Sequence, residues 1–153
     1  MVTPLKFVGD GQALIAALRA GHPGAAAAFY DQHAAHVHRT LRSILGADAD
    51  VPDLLQEVFI RAIDGIKSLD DLEQVRSWLT TITVFTARAH IRRRTRRKSL
   101  FTFSPQMTSE DRIDPPSTEA RFALRETYEL LDELPVNERM AFVLRFVDGL
   151  TLP

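Results

Sequence analysis

The residues best suited to chemistry are seven cations packed into eleven positions. Residues 88–98 read R-A-H-I-R-R-R-T-R-R-K and hold Arg88, Arg92, Arg93, Arg94, Arg96, Arg97 and Lys98 with no acid among them. Guanidinium groups pair bidentately with phosphates and with guanine edges. Each phosphate neutralised on duplex DNA releases counterions and adds about −0.9 to the slope of log affinity against log salt. Trp78 and Phe85 precede the run and are suited to stacking on an unpaired base. The plainer alternative is a solvated helix face with its aromatics in the core, and Trp78 in particular suits a core position.

Other chemistry is sparse. The chain has no cysteine, which excludes a disulfide framework, a thiol nucleophile and a cysteine zinc site. His33 and His36 lie one turn apart, with Asp31 and His38 nearby. A metal centre needs three or four convergent ligands, so these read as surface histidines. There is no glycine-rich phosphate loop and no supported Ser-His-Asp set, and Asp132 and Glu133 read as solvated carboxylates. The expectation is a protein that is not an enzyme, with no cofactor and no metal.

The whole-chain balance sharpens the meaning of the basic run. The 153 residues carry 19 basic and 20 acidic side chains, a net charge of −1. Outside residues 88–98 the count is 12 basic against 20 acidic, a net of −8. One positive segment on an acidic body points to a polyanion partner. Apolar residues make up 45% and charged residues 25%, as in an ordinary folded domain. No uncharged stretch approaches the roughly 18–20 residues that span a bilayer, and the start does not read as a signal peptide. The expected setting is the cytoplasm, without membrane insertion.

Helices must position these groups, and the pattern is helical almost throughout, an all-α fold. Asp10 is a candidate N-cap for a short helix with Leu14, Ile15 and Leu18 on one face, ending at Gly21. A longer helix runs from Ala25 to Leu45 and stops at Gly46, where a left-handed cap belongs. Asp50 is expected to cap a third helix with Pro52 in its first turn. Its buried face is Leu54, Leu55, Val58, Phe59, Ala62, Ile63 and Ile66, and its polar face carries Gln56, Glu57, Arg61 and Asp64. A fourth helix is expected from about Asp71 to Arg97, with Val75, Trp78, Leu79, Ile82, Phe85, Thr86 and Ala89 inward. Capping needs only one or two cations at its end, not seven. Residues 99–117, with prolines at 105, 115 and 116, read as a linker, and its Phe101, Phe103, Met107 and Ile113 suggest that it lies against another surface. Two helices follow. The first has Phe122, Leu124, Tyr128, Leu130, Leu131 and Leu134 as apolar positions and ends at Pro135. The second runs from about Val136 to Val147 with Met140, Val143, Leu144 and Val147 inward, before Gly149.

The third helix reads D-A-D-V-P-D-L-L-Q-E-V-F-I-R-A, Asp48 to Ala62, and the fourth reads R-S-W-L-T-T-I-T-V-F-T-A-R-A-H-I-R-R-R-T-R-R, Arg76 to Arg97. In this order they resemble region two of bacterial RNA polymerase sigma factors of the extracytoplasmic-function (ECF) class. Leu131 to Thr151, L-D-E-L-P-V-N-E-R-M-A-F-V-L-R-F-V-D-G-L-T, resembles the opening of region four. The resemblance implies a region-two-like helical domain at 10–98, a linker at 99–117 and the start of region four at 118–153. It also implies a sigma factor that binds core polymerase and directs recognition and opening of the promoter minus-ten element. Asp53, Gln56, Glu57, Ile60 and Arg61 would face the clamp of the polymerase β′ subunit. Trp78, Phe85, Arg88, Arg92, Arg93, Arg94, Arg96, Arg97 and Lys98 would face promoter DNA, and an anti-sigma factor is a further partner of the class.

Two departures qualify what the resemblance implies. Phe85 stands where the family commonly has asparagine, Ala89 where it has aspartate, and Val84 where it has a polar or basic residue. The sequence also stops at Pro153, before the helix-turn-helix of region four. Residues 118–153 are too few for an independent core, so two exposed or partner-dependent helices are expected there, or helices packed on region two. The alternative function is a sigma-like interaction protein that binds core polymerase or an anti-sigma factor without initiating transcription. A third reading is a plain basic-helix DNA or RNA binder.

Overall fold

The computed structural model describes residues 10–69, 71–100 and 118–146. Among these residues there are six α-helices and no strand. The first four are α1 (Gly11–Arg19), α2 (Ala25–Leu45), α3 (Val51–Gly65) and α4 (Val75–Leu100). The last two are α5 (Thr118–Glu133) and α6 (Val136–Phe146). Expectations for the linker, and for Val147, Gly149 and the final residues, lie largely outside the described residues.

The core is built around α2. Phe29, Val37, Leu41 and Ile44 are fully enclosed on its inner side. Leu54, Val58, Phe59 and Ala62 of α3 pack against them, and Phe29 meets Phe59 edge-on at 5.9 Å between ring centres. Edge-to-face rings add to the apolar burial that drives the packing. Helix α1 contributes Leu14, Ile15 and Leu18, and the Asp10 carboxylate accepts the Ala13 N–H at 2.8 Å as expected of an N-cap. At the other end of α1, Arg19 donates to the carbonyl oxygens of Ile66 and Leu69. Those residues belong to a 3₁₀ turn, Ile66–Ser68, and the residue after it. One side chain thereby ties the α3–α4 connection to α1.

The start of α4 is corrected by its cap. Asp71 accepts the Glu73 N–H and the Gln74 side-chain amide, each at 2.9 Å, and starts a 3₁₀ turn, Leu72–Gln74. The α-helix proper begins at Val75 and continues through the basic run to Leu100. Its 26 residues span about 39 Å.

The inward stripe of α4 also differs from the expected one. Leu79, Thr83, Thr86, Ala87 and His90 are buried, whereas Phe85 is 58% exposed. Threonine is the reason the stripe is misread. The Thr83 hydroxyl donates to the Leu79 carbonyl at 2.7 Å and so enters the core already satisfied. Thr83 therefore takes a place expected of an apolar residue, beside Thr86, which is inward as expected, and the helix is rotated so that Phe85 faces outward.

Helices α5 and α6 do pack on the rest, α6 against both α2 and α4. Only part of the expected apolar face of α5 is used: Leu131 is buried and Tyr128 half-buried. Phe122, Leu124, Leu130 and Leu134 are exposed. From α6, Met140 and Val143 enter the core and Leu144 is half-buried, while Phe142 and Phe146 stack on each other outside it. The hairpin lies across one edge of the bundle, so a single narrow seam of each helix finds a partner.

Candidate functional site

Helix α4 leaves the core at about Ile91, and its last turns run along the outside of the bundle beside α3. Arg92, Arg93, Arg94, Arg96, Arg97 and Lys98 are all exposed there. Arg88 is different: it is half-buried and its Nε is enclosed without a hydrogen-bond acceptor among the described residues. On the outer side, Phe85 is open to solvent one turn before Arg88 and two turns before Arg92. Trp78 is half-buried, packed against the core beside Gly65, as its core reading required.

Helix α3 runs beside this segment with the opposite polarity. Asp53, Gln56, Ile60 and Arg61 are exposed, and Ile60 is a bare aliphatic side chain at 61% exposure amid polar neighbours. Glu57 joins the two surfaces. It accepts from Arg61 at 2.6 Å and lies 3.7 Å from Arg93 of α4. An open groove separates the helices, with Asp53 and Glu57 on one wall and Arg93, Arg94, Arg97 and Lys98 on the other. The residues expected to face polymerase and those expected to face DNA are thus neighbouring surfaces in contact along Glu57–Arg93.

Beneath the groove is a cluster that the sequence did not disclose. Asp48, in the α2–α3 loop, accepts from Arg94 Nη1 at 3.0 Å and from His90 Nε2 at 3.2 Å. It also accepts the Asp50 N–H at 2.9 Å. Enclosure alone would push the Asp48 carboxyl up. The His90 and Asp50 hydrogen bonds and the His90 and Arg94 charges outweigh this and hold it at about 2. The carboxylate is ionised and can only accept, so Nε2 of His90 carries a proton. Asp50, expected to cap α3, makes no side-chain cap: its backbone is already helical, at φ −82° and ψ −3°, where a capping residue is extended. One signal for this cluster was present in the sequence: His90 falls on the buried side of α4, and an ionisable group there needs a partner.

Asp48, Asp50 and His90 bring three ligand atoms within 4.8 Å of one another. The Arg94 guanidinium already occupies the open side of Asp48, and a fixed cation there opposes a metal ion. The His33–His36 pair serves packing instead. His36 Nε2 bonds the Thr80 hydroxyl at 2.8 Å, and burial, then His36 and Arg76, hold His33 below the usual histidine range.

The family description "Sigma-70 region 2" matches residues 29–97. The chain is 24% identical over 128 residues to the ECF RNA polymerase sigma factor SigX of Bacillus subtilis, covering 80% of this chain and 66% of that protein. It is 30% identical over 118 residues to the ECF RNA polymerase sigma-E factor of Escherichia coli, covering 67% of this chain and 58% of that protein. The chain therefore spans about six tenths of the length of these relatives. Its fold is similar to that of CnrH, solved in complex with the cytosolic domain of CnrY, with a TM-score of 0.56 at 22% identity. That likeness covers 93% of this chain and 78% of the other.

Proposed function

We propose, from the premise that this chain belongs to the extracytoplasmic-function class of the sigma-70 family, that it binds core RNA polymerase and directs recognition and opening of the promoter minus-ten element. Members of this family are transcription-initiation factors, not enzymes. In this reading residues 10–98 act as region two, 99–117 as the linker and 118–153 as the start of region four. In this reading the protein works in the cytoplasm with its polymerase. No helix among the described residues is long and apolar enough to cross a membrane.

The observation that carries the proposal is the pairing of two exposed surfaces on adjacent helices. Asp53, Gln56, Glu57, Ile60 and Arg61 of α3 offer carboxylates, an amide and one aliphatic contact to a basic helical partner, the β′ clamp. Phe85, Arg92, Arg93, Arg94, Arg96, Arg97 and Lys98 of α4 offer an aromatic face and phosphate-binding cations to promoter DNA. Arg88 and Trp78 support this surface from a half-buried position. Phe85 in place of the family's asparagine favours stacking over hydrogen-bonded reading at that base.

The test is capture of core polymerase by the purified chain. The wild type retains polymerase, and both Asp53→Arg and Gln56→Ala/Glu57→Arg lose it while keeping their helical spectrum. Equal capture by all three proteins would refute the clamp assignment.

A second reading is favoured by the exposed apolar side of α5 and α6, where Phe122, Leu124, Leu130, Phe142 and Phe146 are exposed among the described residues. A sigma-like protein that holds a protein partner there, such as an anti-sigma factor, without initiating transcription would leave this surface covered. CnrH held with the cytosolic domain of CnrY is the comparable assembly. Polymerase capture without promoter-dependent transcription is the outcome that would separate this reading from the first.

A further inference from the structure

We propose that Asp48 is a positioning residue of the basic surface: it fixes the Arg94 guanidinium so that α4 meets a nucleic-acid backbone with that cation already oriented. The inference rests on the nucleic-acid role proposed for α4.

Asp48 and Arg94 are 46 residues apart. The Asp48 side chain is 6% exposed, and an enclosed carboxylate must have donors on its oxygens. A loop acid serving only the start of α3 would need the Asp50 N–H alone, which Oδ1 accepts. Asp48 instead turns Oδ2 toward α4, where both His90 and Arg94 reach it. Donors from two elements leave the carboxylate one position. Arg94 is the exposed member, at 47%, and this contact uses one of its five N–H donors. The remaining donors lie at the groove with Arg93, Arg97 and Lys98. A long side chain held in this way has already lost rotamer freedom that an unpaired arginine would lose on binding. Arg92, Arg96, Arg97 and Lys98 have no ion pair among the described residues, so Arg94 is the best-anchored cation of the set.

Asp48 also places a negative charge beneath a surface meant for phosphates. The two effects have opposite signs, and Asp48→Asn separates them because it removes the charge and keeps the size. If the carboxylate only repels, the variant binds nucleic acid more tightly. If it positions Arg94, the variant binds more weakly although the protein has become more positive.

The experiment titrates the full chain, at a series of salt concentrations, against a fluorescein-labelled duplex carrying a short unpaired A·T-rich bubble. Asp48→Asn is expected to weaken binding about two- to tenfold, the range for releasing one side chain to full freedom. The salt slope should stay unchanged, since the Arg94 charge remains. In an Arg94→Ala background Asp48→Asn should cause no further loss. Equal or tighter binding by Asp48→Asn overturns the proposal, as does the same loss in the Arg94→Ala background, which would mark a general structural role. Absence of binding by the wild type overturns it too. No polymerase is present, so a failed polymerase capture and a failed titration are separate results. If Asp48→Asn does not fold, the Arg94 Nη resonances of the wild type decide: hindered rotation supports the proposal and free averaging rejects it.

Discussion

Arg139 of α6 donates to the carbonyl oxygen of Ile44, in the last turn of α2, through Nη2 at 2.8 Å and Nε at 3.2 Å. The last carbonyls of a helix have no donor within it, and here a buried guanidinium from 95 residues away supplies one. Asp132 pairs with the same guanidinium. Tyr128 adds its hydroxyl, which donates to the Arg42 and Ser43 carbonyls at 3.2 and 2.8 Å. The α5–α6 hairpin is thus fastened to α2 through backbone oxygens at one helix end, beside the buried Leu131, Met140 and Val143.

Replacing Arg139 by methionine should therefore detach the hairpin and leave the bundle standing. The lost charged hydrogen bonds cost about 2–3 kcal/mol. Hydrogen exchange by mass spectrometry should show protection falling across 120–146 while α2 and α3 keep theirs. Uniform loss of protection would mean that the hairpin is integral to the core.

Gly46 should tolerate no side chain. Its φ is +69°, a conformation costing about 1–3 kcal/mol for other residues. A Cβ there would also stand 3.1 Å from the Tyr128 ring. Gly46→Ala should lower the urea midpoint more than Tyr128→Phe, which loses about 1 kcal/mol of hydrogen bonding. The reverse order would show that the ring moves aside freely.

Asp48 predicts an acid-labile contribution to stability. Its carboxyl lies at about 2 in the fold against 3.8 as an unperturbed group. A depressed value stabilises the folded state above the unfolded pKa and is lost as pH falls through the folded one. The contribution, about 2 kcal/mol, is complete above pH ~5 and fades toward pH ~2. Denaturation of wild type and Asp48→Asn across this range should show two stabilities that converge at the acid end. A constant difference between them would mean that the cluster does not titrate as described.

Phe85 and Trp78 should separate function from stability. Phe85 is largely exposed, so Phe85→Ala should change unfolding free energy by no more than about 0.5 kcal/mol. The same change should weaken binding to an unpaired A·T-rich bubble by about 1–3 kcal/mol, the worth of one aromatic stack. Trp78→Ala should destabilise by about 2 kcal/mol, because its ring is half-buried against the core. Paired thermal unfolding and bubble binding check both, and a destabilised Phe85→Ala would contradict the rotation of α4 seen in the structure.

Local rules carried far in this chain. The run Ala25 to Leu45 between Pro23 and Gly46 is helical over the same residues in the structure. The α3 stripe of Leu54, Leu55, Val58, Phe59 and Ala62 is buried as its period requires. The exposed polar side of α3 and the exposed basic end of α4 were legible for the same reason: charge density and helical spacing are properties of neighbouring residues. The rotation of α4 was not, because spacing gives a stripe only when burial follows apolarity, and here Thr83 enters the core while Phe85 stays outside it.

By itself, then, the sequence determined the helices, the apolar faces of α1, α2 and α3 and the segregation of charge into residues 88–98, all of which depend on residues within a few turns of one another. The tertiary structure alone decided four pairings: Asp48 with His90 and with Arg94, Glu57 with Arg93, and Arg139 with Ile44. Each joins groups 36 or more positions apart, where no period or cap connects them. They form because burial leaves a carboxylate, a guanidinium or a helix-end carbonyl that must be satisfied, and only the packed helices determine which partner is within reach.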